Sequence, residues 1–384
     1  MNLPPQMLAA LGARVANGEI PGLGAAVVYR DQVAAATLGT HAAHGEGGTV
    51  TSRSLFRISS MTKPITGVAT MLLVEDNVLR LDEPVDRLLP ELANRRVLRA
   101  LDAELDDTVP AHRAITVEDL LTFRCGWGVF MAPPDTYPLQ RAFAQLALGQ
   151  GPPQPQLVPA PDEWLRRLGT LPLMAQPGER WLYNTGADIL GVLIARAAQQ
   201  PFADFLAERI FAPLGMHDTA FHGPAARMTT SYIGADVYDP PDGQWSKPPR
   251  FASGAAGLVS SLDDLVAWSR AILEGRLLSR DAFARMTADH LAPGQHASAY
   301  FPSNSFQSPG RGFGYCGAAF TGPDPEHYGR SPGAWGWDGG LGSQWYVDPA
   351  RGLCAIYLSQ RAWWQPIPGS EYADFWHHVH VRTA

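Results

Sequence analysis

Residues 56–70 read FRISSMTKPITGVAT, and they hold Lys63, one of only two lysines in a chain whose lysines and arginines together number 30. The other is Lys247. Residues 58–77 carry the apolar spacing of a buried helix. On a helix, residues three apart share a face, so the Lys63 amine comes to lie beside the Ser60 hydroxyl. With Ser60 at the helix N-terminus, the positive end of the peptide dipole lowers the lysine pKa and favours an anion nearby. A neutral lysine then accepts the serine proton, which arginine does not do because its guanidinium stays protonated. The competing reading of the same residues is a serine that caps the helix and a lysine that is a surface cation.

Outward from this stretch, residues 4–17 read as an amphipathic helix and residues 21–40 as two strands, GLGAAVVYR and QVAAATLGT, joined at Arg30-Asp31. The segment LRLDEPVDRLLPEL is a turn-rich exit from the central helix. From about residue 90 to 250 the pattern is mostly helical. Thr116 with Asp119 makes a capping box, residues 186–198 and 202–210 read as helices, and strand signals are nearly absent. The proline-rich stretches MAPPDTYPLQ and GQGPPQPQLVPAPDEW read as a lid or a solvated excursion. Beyond residue 250, SSLDDLVAWSRAILEG is a capped helix, and SQWYVDP and LCAIYLS are strands. The expected architecture is therefore α/β (α+β), with one sheet built from both termini. Residues 1–89 and 251–384 form the sheet domain, residues 90–250 an inserted mainly helical domain, and the site lies in the cleft between them.

The composition fits an ordered globular chain of 384 residues: 46% hydrophobic, 17% charged, with 38 glycines and 33 prolines for tight turns. A formal net charge of -7 gives no electrostatic reason to approach a phosphate backbone, so nucleic acid is not an expected partner. The start, MNLPPQMLAALGARVANG, lacks the basic region and continuous apolar run of a secretory signal, and no stretch is long enough to span a membrane. The expectation is a soluble, cytoplasmic protein. Cys125, Cys316 and Cys354 are an odd number, far apart, and read as small buried hydrophobes.

The chain resembles the serine β-lactamase and penicillin-binding-protein-like hydrolases, especially the class C-like branch with the family VIII-type carboxylesterases. FRISSMTKPITGVAT looks like the nucleophile motif and LRLDEPVDRLLPEL like the segment after it. ITVEDLLTFRCGWG, PGERWLYNTGADILG, FADFLAERIFAPLGMHDTAF and SGAAGLVSSLDDLVAW resemble successive later segments, so the likeness covers nearly the whole chain. It implies a β-lactamase/transpeptidase-like fold, with Ser60 as nucleophile and Lys63 and Tyr183 as the proton-handling pair. The third motif of the family falls on GAWGWDGGLGSQW, placing Trp337, Asp338 and Gly339 beside the substrate. The oxyanion hole is then the backbone N–H groups of Ser60 and Gly340. Two positions depart from the β-lactamases: Thr185 replaces the asparagine two residues after the tyrosine, leaving Asn184 at a different offset, and Trp337 replaces the strand lysine. Both remove polar groups that fix a β-lactam and favour an apolar acyl or alcohol group. Trp127, Phe130, Trp337 and Trp345 are candidates for an apolar pocket, with core packing as the alternative.

The expectation is thus a serine hydrolase that passes through an acyl-enzyme, a carboxylesterase on small to medium acyl esters, with no metal or cofactor. Alternatives are an acyltransferase, a β-lactamase or D-amino-acid peptidase acting on an amide, and a silent binding module of the same fold. An α/β-hydrolase is disfavoured by the lack of Gly-x-Ser-x-Gly. The one metal candidate, His377, His378 and His380, has no accompanying His-Glu-x-x-His.

Overall fold

The computed structural model describes residues 2–298, 310–322, 329–362 and 370–381. The expected N-terminal hairpin is present as β1 (Gly22–Tyr29) and β2 (Gln32–Gly39). Its partners come from the far end of the chain: β3 (Arg311–Phe313), β4 (Ala318–Phe320), β5 (Trp335–Gly339), β6 (Ser343–Asp348) and β7 (Leu353–Ser359). The sheet runs β2-β1-β7-β6-β5-β4-β3, antiparallel between all neighbours, with Leu23 opposite Ser359 and Trp337 opposite Trp345. Both ends of the chain are needed to bury β1, because among the described residues its partners are β2 and β7.

Five helices frame the sheet and the site: α1 (Pro5–Ala16), α2 (Thr62–Glu75), α3 (Thr185–Ala198), α4 (Leu262–Leu273) and α5 (Ser370–Val381). Successive side chains on a strand point to opposite faces, and β6 shows which helices cover which. Gln344 Oε1 accepts from Trp376 Nε1 of α5 at 2.6 Å, whereas Trp345 Nε1 donates to Ser269 Oγ of α4 at 2.9 Å. On the α5 side, Arg14 Nε of α1 donates to Asp374 at 2.8 Å. Every residue of α2 from Thr62 to Leu73 is buried. A helix buried all round lies in the middle of a protein rather than on its surface, which places the start of α2 deep in the molecule.

In the helical part, the Thr116 capping box forms in both directions: Asp119 N donates to Thr116 Oγ1 at 3.2 Å and Thr116 N to Asp119 Oδ2 at 2.9 Å. The expectation of few strands there misses two small hairpins, Arg96–Leu98 with Thr108–Pro110 and Ser231–Ile233 with Asp236–Asp239. Strands of three or four residues are too short to show a period of two. The helix read over residues 202–210 is α-helical only over Phe202–Leu206 and continues as a π-helical turn, Ala207–Phe211. Cys125, Cys316 and Cys354 are free and buried, as expected.

Among the described residues no helix is long and apolar enough to cross a membrane, and no group of three histidine, cysteine or acidic side chains is placed to hold a metal. The side chain of His380 lies outside the described residues.

One buried ion pair ties the second hairpin to the nucleophile segment. Arg57 Nε donates to Asp239 Oδ2 at 2.7 Å, Arg57 also reaches the Thr229 and Pro240 carbonyls, and its guanidinium lies 5.6 Å from the centre of the Trp245 ring. Both side chains are almost wholly buried. Removing one partner of such a pair strands the other charge, so Arg57→Ala is expected to lower unfolding stability by about 3–5 kcal/mol. A denaturant midpoint indistinguishable from wild type would overturn this.

Candidate active site

The nucleophile segment is held from two sides. Phe56 and Arg57 pair with Val259 and Ser260, and Ser343 Oγ of β6 donates to the Ile58 carbonyl at 2.8 Å. The chain then turns into α2 through Ser59 at φ 47°, a left-handed conformation uncommon for residues other than glycine. Ser59–Met61 forms a 3-10 turn. Gly339 at the end of β5 crosses directly over it: a Cβ there would lie 2.3 Å from the Ile58 carbonyl oxygen, which only glycine avoids. Ser60 is left 9% exposed, in the wall of a cleft.

Lys63 follows one turn later and is fully buried, which removes the surface-cation reading. Its Nζ donates to Ser60 Oγ at 2.8 Å and to the Ala255 carbonyl at 2.8 Å, and stands 4.5 Å from the centre of the Tyr183 ring. Burial pushes the amine down to about 7, against the attraction of Asp188 and, more weakly, Cys316.

Tyr183 arrives from the helical part through a strained turn. Asn184 has φ 83° and ψ −59°, and Thr185 N donates to the Tyr183 carbonyl at 3.2 Å. This is a γ-turn of the rarer, positive-φ kind. Two backbone bonds, Val129 N to the Tyr183 carbonyl at 2.9 Å and Leu182 N to the Phe123 carbonyl at 2.8 Å, hold the turn to residues 123–129. The Tyr183 hydroxyl hydrogen-bonds with Ser60 and accepts from Trp337 Nε1 at 2.9 Å. Burial raises the phenol pKa, and these two bonds only partly offset it.

The cleft has a volume of about 570 Å³ and is lined by Ser60, Tyr183, Asn184, Trp337, Asp338 and Gly340, with apolar walls that include Val129, Leu148, Phe251 and Leu341. Residues 149–155, read as a lid or an excursion, are part of the wall. They are pinned by Tyr238 Oη donating to the Pro153 carbonyl at 2.7 Å.

Two expectations for substrate-contacting residues need correction. Trp127 does not line the cleft: it is fully buried and its Nε1 donates to the Pro172 carbonyl at 2.8 Å, because the 126–129 segment turns its indole into the core. Gly339 serves close backbone packing and is not among the lining residues. Of the other aromatic candidates, Trp345 packs on Trp268 and Trp335 in the core, and Phe130 sits against Phe143 and Tyr137. Asp338 alternates away from Trp337 and hydrogen-bonds with Tyr346 and Gln344; burial raises its carboxyl pKa, opposed by Arg311 and Arg330. Asn184 turns its amide toward Asp188 at 3.4 Å.

Asp188 is the site residue that the motifs miss. It lines the cleft one turn into α3. Its Oδ1 accepts from Ser253 Oγ at 2.6 Å and from Ala255 N at 3.2 Å. The available signal is a lone carboxylate inside the apolar run GADILGVLIA. A half-buried acid in such a run needs a partner.

The arrangement brings a serine hydroxyl, a desolvated amine and a phenol together at the edge of an apolar cleft, which is the equipment of acyl transfer through a covalent intermediate. Comparisons with known proteins agree with the fold. A protein structure described as EstCE1, a hydrolase with promiscuous acyltransferase activity, superposes with a TM-score of 0.82 over 98% of this chain and 97% of that one, at 21% identity. Protein Rv1367c of Mycobacterium tuberculosis is 36% identical over 80% of this chain and 77% of its own length. Lovastatin esterase of Penicillium rubens is 30% identical over 83% of this chain and 82% of its own. The Beta-lactamase family model matches residues 8–370, and with these relatives it establishes that the chain belongs to the Beta-lactamase family.

Proposed function

We propose that the protein is a serine carboxylesterase acting on small to medium acyl esters, with Ser60 as nucleophile and Lys63 as its base. The observation that carries this reading is the 2.8 Å contact between Ser60 Oγ and a fully buried Lys63 amine. An amine brought down to about 7 is substantially neutral at physiological pH. Tyr183, whose phenol pKa is raised, stays protonated there, so Lys63 is the better acceptor of the serine proton.

The Ser60 oxygen attacks the ester carbonyl as its proton passes to Lys63. The oxyanion is held by the backbone N–H groups of Ser60 and Gly340, both of which border the cleft. Tyr183, bonded to Ser60, gives its proton to the departing alkoxide and is reprotonated from Lys63. Water then adds to the acyl-enzyme by the reverse relay and releases the acid. Trp337 stands where the family's β-lactamases carry a lysine, and its indole N–H keeps the phenol oriented without adding a charge. The relatives named esterase support the hydrolytic reading, and the cleft leaves room for a sizeable alcohol beside the acyl group.

A second reading, acyl transfer to an alcohol, is favoured by the largely apolar cleft, in which an alcohol competes with water for the acyl-enzyme. The proposal includes the two-part organisation, residues 1–89 with 251–384 and residues 90–250. Tyr183 comes from the second part, and Ser60, Lys63 and Trp337 from the first. A cytoplasmic location fits three buried, unpaired thiols.

The test is kcat/KM on p-nitrophenyl butyrate and on a chromogenic cephalosporin, each corrected for the Ser60→Ala variant. The expected outcome is an ester preference of at least about a hundredfold, since the site lacks the polar groups that hold a β-lactam. A cephalosporin preference overturns the esterase reading. Added 1-butanol diverting most product from butyric acid to butyl butyrate would favour the transferase.

A further inference from the structure

We propose that Asp188 is a positioning residue of this site: its carboxylate fixes the turn whose Ala255 carbonyl receives Lys63, and it supplies the negative charge that partners the Lys63 amine. The inference rests on the reading of Ser60 and Lys63 as nucleophile and base, and adds a residue that this reading does not use.

Three observations carry it. First, the contacts form a closed circuit. Asp188 Oδ1 takes the Ser253 hydroxyl at 2.6 Å and the Ala255 N–H at 3.2 Å, and Ser253 Oγ accepts in turn from Ala255 N at 3.2 Å and Ala256 N at 3.0 Å. The peptide so fixed presents the Ala255 carbonyl to Lys63 Nζ at 2.8 Å, the same distance as Ser60 Oγ. Without that acceptor the amine is free to rotate away from the serine. Second, the approach is close enough to exclude other side chains. A Cβ at Gly254 would lie 2.3 Å from the Ala187 carbonyl oxygen, so α3 and the 253–256 turn meet at van der Waals distance immediately before Asp188. Third, Asp188 reaches the other half of the site. Asn184, the strained residue of the γ-turn that delivers Tyr183, points its amide at Asp188 Oδ2 at 3.4 Å.

The groups that face Lys63 from the surrounding elements are Ser60 of its own segment, Tyr183 before α3, Asp188 of α3, the Ala255 carbonyl, and Cys316 between β3 and β4. Cys316 is buried with its thiol pKa raised, and burial also raises the Asp188 carboxyl, opposed by the Ser253 hydroxyl, the Lys63 amine and the Ala255 N–H, so Asp188 is the acid of this set that pairs with the amine. The sign of its effect follows. A nearby anion favours the ammonium, so deleting the charge while keeping the shape lowers the pH at which Lys63 becomes neutral. The acid limb of kcat/KM then moves to lower pH. The same anion disfavours the phenolate of Tyr183, so a basic limb set by that group moves the same way.

The test compares pH profiles of kcat and kcat/KM on p-nitrophenyl butyrate for wild type, Asp188→Asn and Asp188→Ala, with Ser60→Ala as the background. Asn keeps an oxygen for Ser253 and Ala255 but no charge. It is expected to fold and to shift the acid limb down by about one pH unit. Ala removes the circuit and is expected to lower the plateau kcat by about ten- to a hundredfold with little change in KM. A merely structural carboxylate would leave the Asn profile where it is, and that result overturns the proposal. So does a shift to higher pH. If Asp188→Ala does not fold, the Asn profile alone decides. Activity retained by Ser60→Ala instead rejects the nucleophile reading and is thereby distinguishable from a failure at Asp188.

Discussion

Ser60→Ala is expected to lower kcat/KM on p-nitrophenyl butyrate by on the order of 10⁴-fold or more while leaving the fold intact. The substitution deletes one oxygen at the cleft wall. The packing of the segment is carried by Ile58, Met61, Ile65 and Val68, all buried, and by the Ser343 bond to the Ile58 carbonyl. The melting temperature should therefore stay within a few degrees, roughly what a ΔΔG below 1 kcal/mol produces in a chain of this size. Catalysis has no such redundancy. Ser59 is adjacent, but the Lys63 amine is directed at the Ser60 hydroxyl. Wild-type hydrolysis by a folded Ser60→Ala protein would place the nucleophile elsewhere.

Lys63→Arg is expected to abolish at least about a thousandfold of the activity although the charge is kept. In the proposed mechanism Lys63 works by losing its proton near pH 7, because burial disfavours the ammonium. A guanidinium does not deprotonate in this range and is larger than the site, which is fully enclosed. The variant should also be less stable, since an obligate cation would sit in a space that tolerates a neutral amine. Lys63→Met separates the two effects: it is apolar and unbranched, so it should fold, with some loss of stability because the Ala255 carbonyl and Asp188 lose their partner, and still be inactive. In the wild type, kcat/KM should fall with pH through an acid limb near pH 7, as Lys63 takes up its proton and ceases to be a base. A folded Lys63→Arg enzyme with normal activity, or a wild-type profile flat down to pH 5, would mean that another group accepts the serine proton.

The relation between Ser60 and Lys63 was legible because it is local. Two residues three apart on one helix meet whatever the rest of the chain does, and the identity of the base follows from what arginine lacks. The Thr116–Asp119 cap, the β1–β2 hairpin and the strands β6 and β7 were legible for the same reason: their signals lie within a few consecutive residues. The other tryptophans were not. The motif position places Trp337 beside the substrate, where it lines the cleft and donates to Tyr183, but Trp127 and Trp345 are as apolar in sequence and donate to Pro172 and Ser269. Only the path of the backbone decides that those two indoles turn into the core. Asp188 was missed because its partners, Ser253 and Ala255, lie 65 and 67 residues away.

The sequence by itself determined the meeting of Ser60 with Lys63, the helix that carries them, and the need for a sheet drawn from both ends of the chain. These follow from periodicity, caps and the chemistry of a single lysine. The tertiary structure decided that this lysine is dry, and so close to neutral, because α2 is enclosed on every side. It brought Trp337 to Tyr183 across 154 residues of chain and set Asp188 behind the turn that holds the amine. Desolvation and long-range encounter depend on what packs around a residue, and a chain read in order carries no direct record of either.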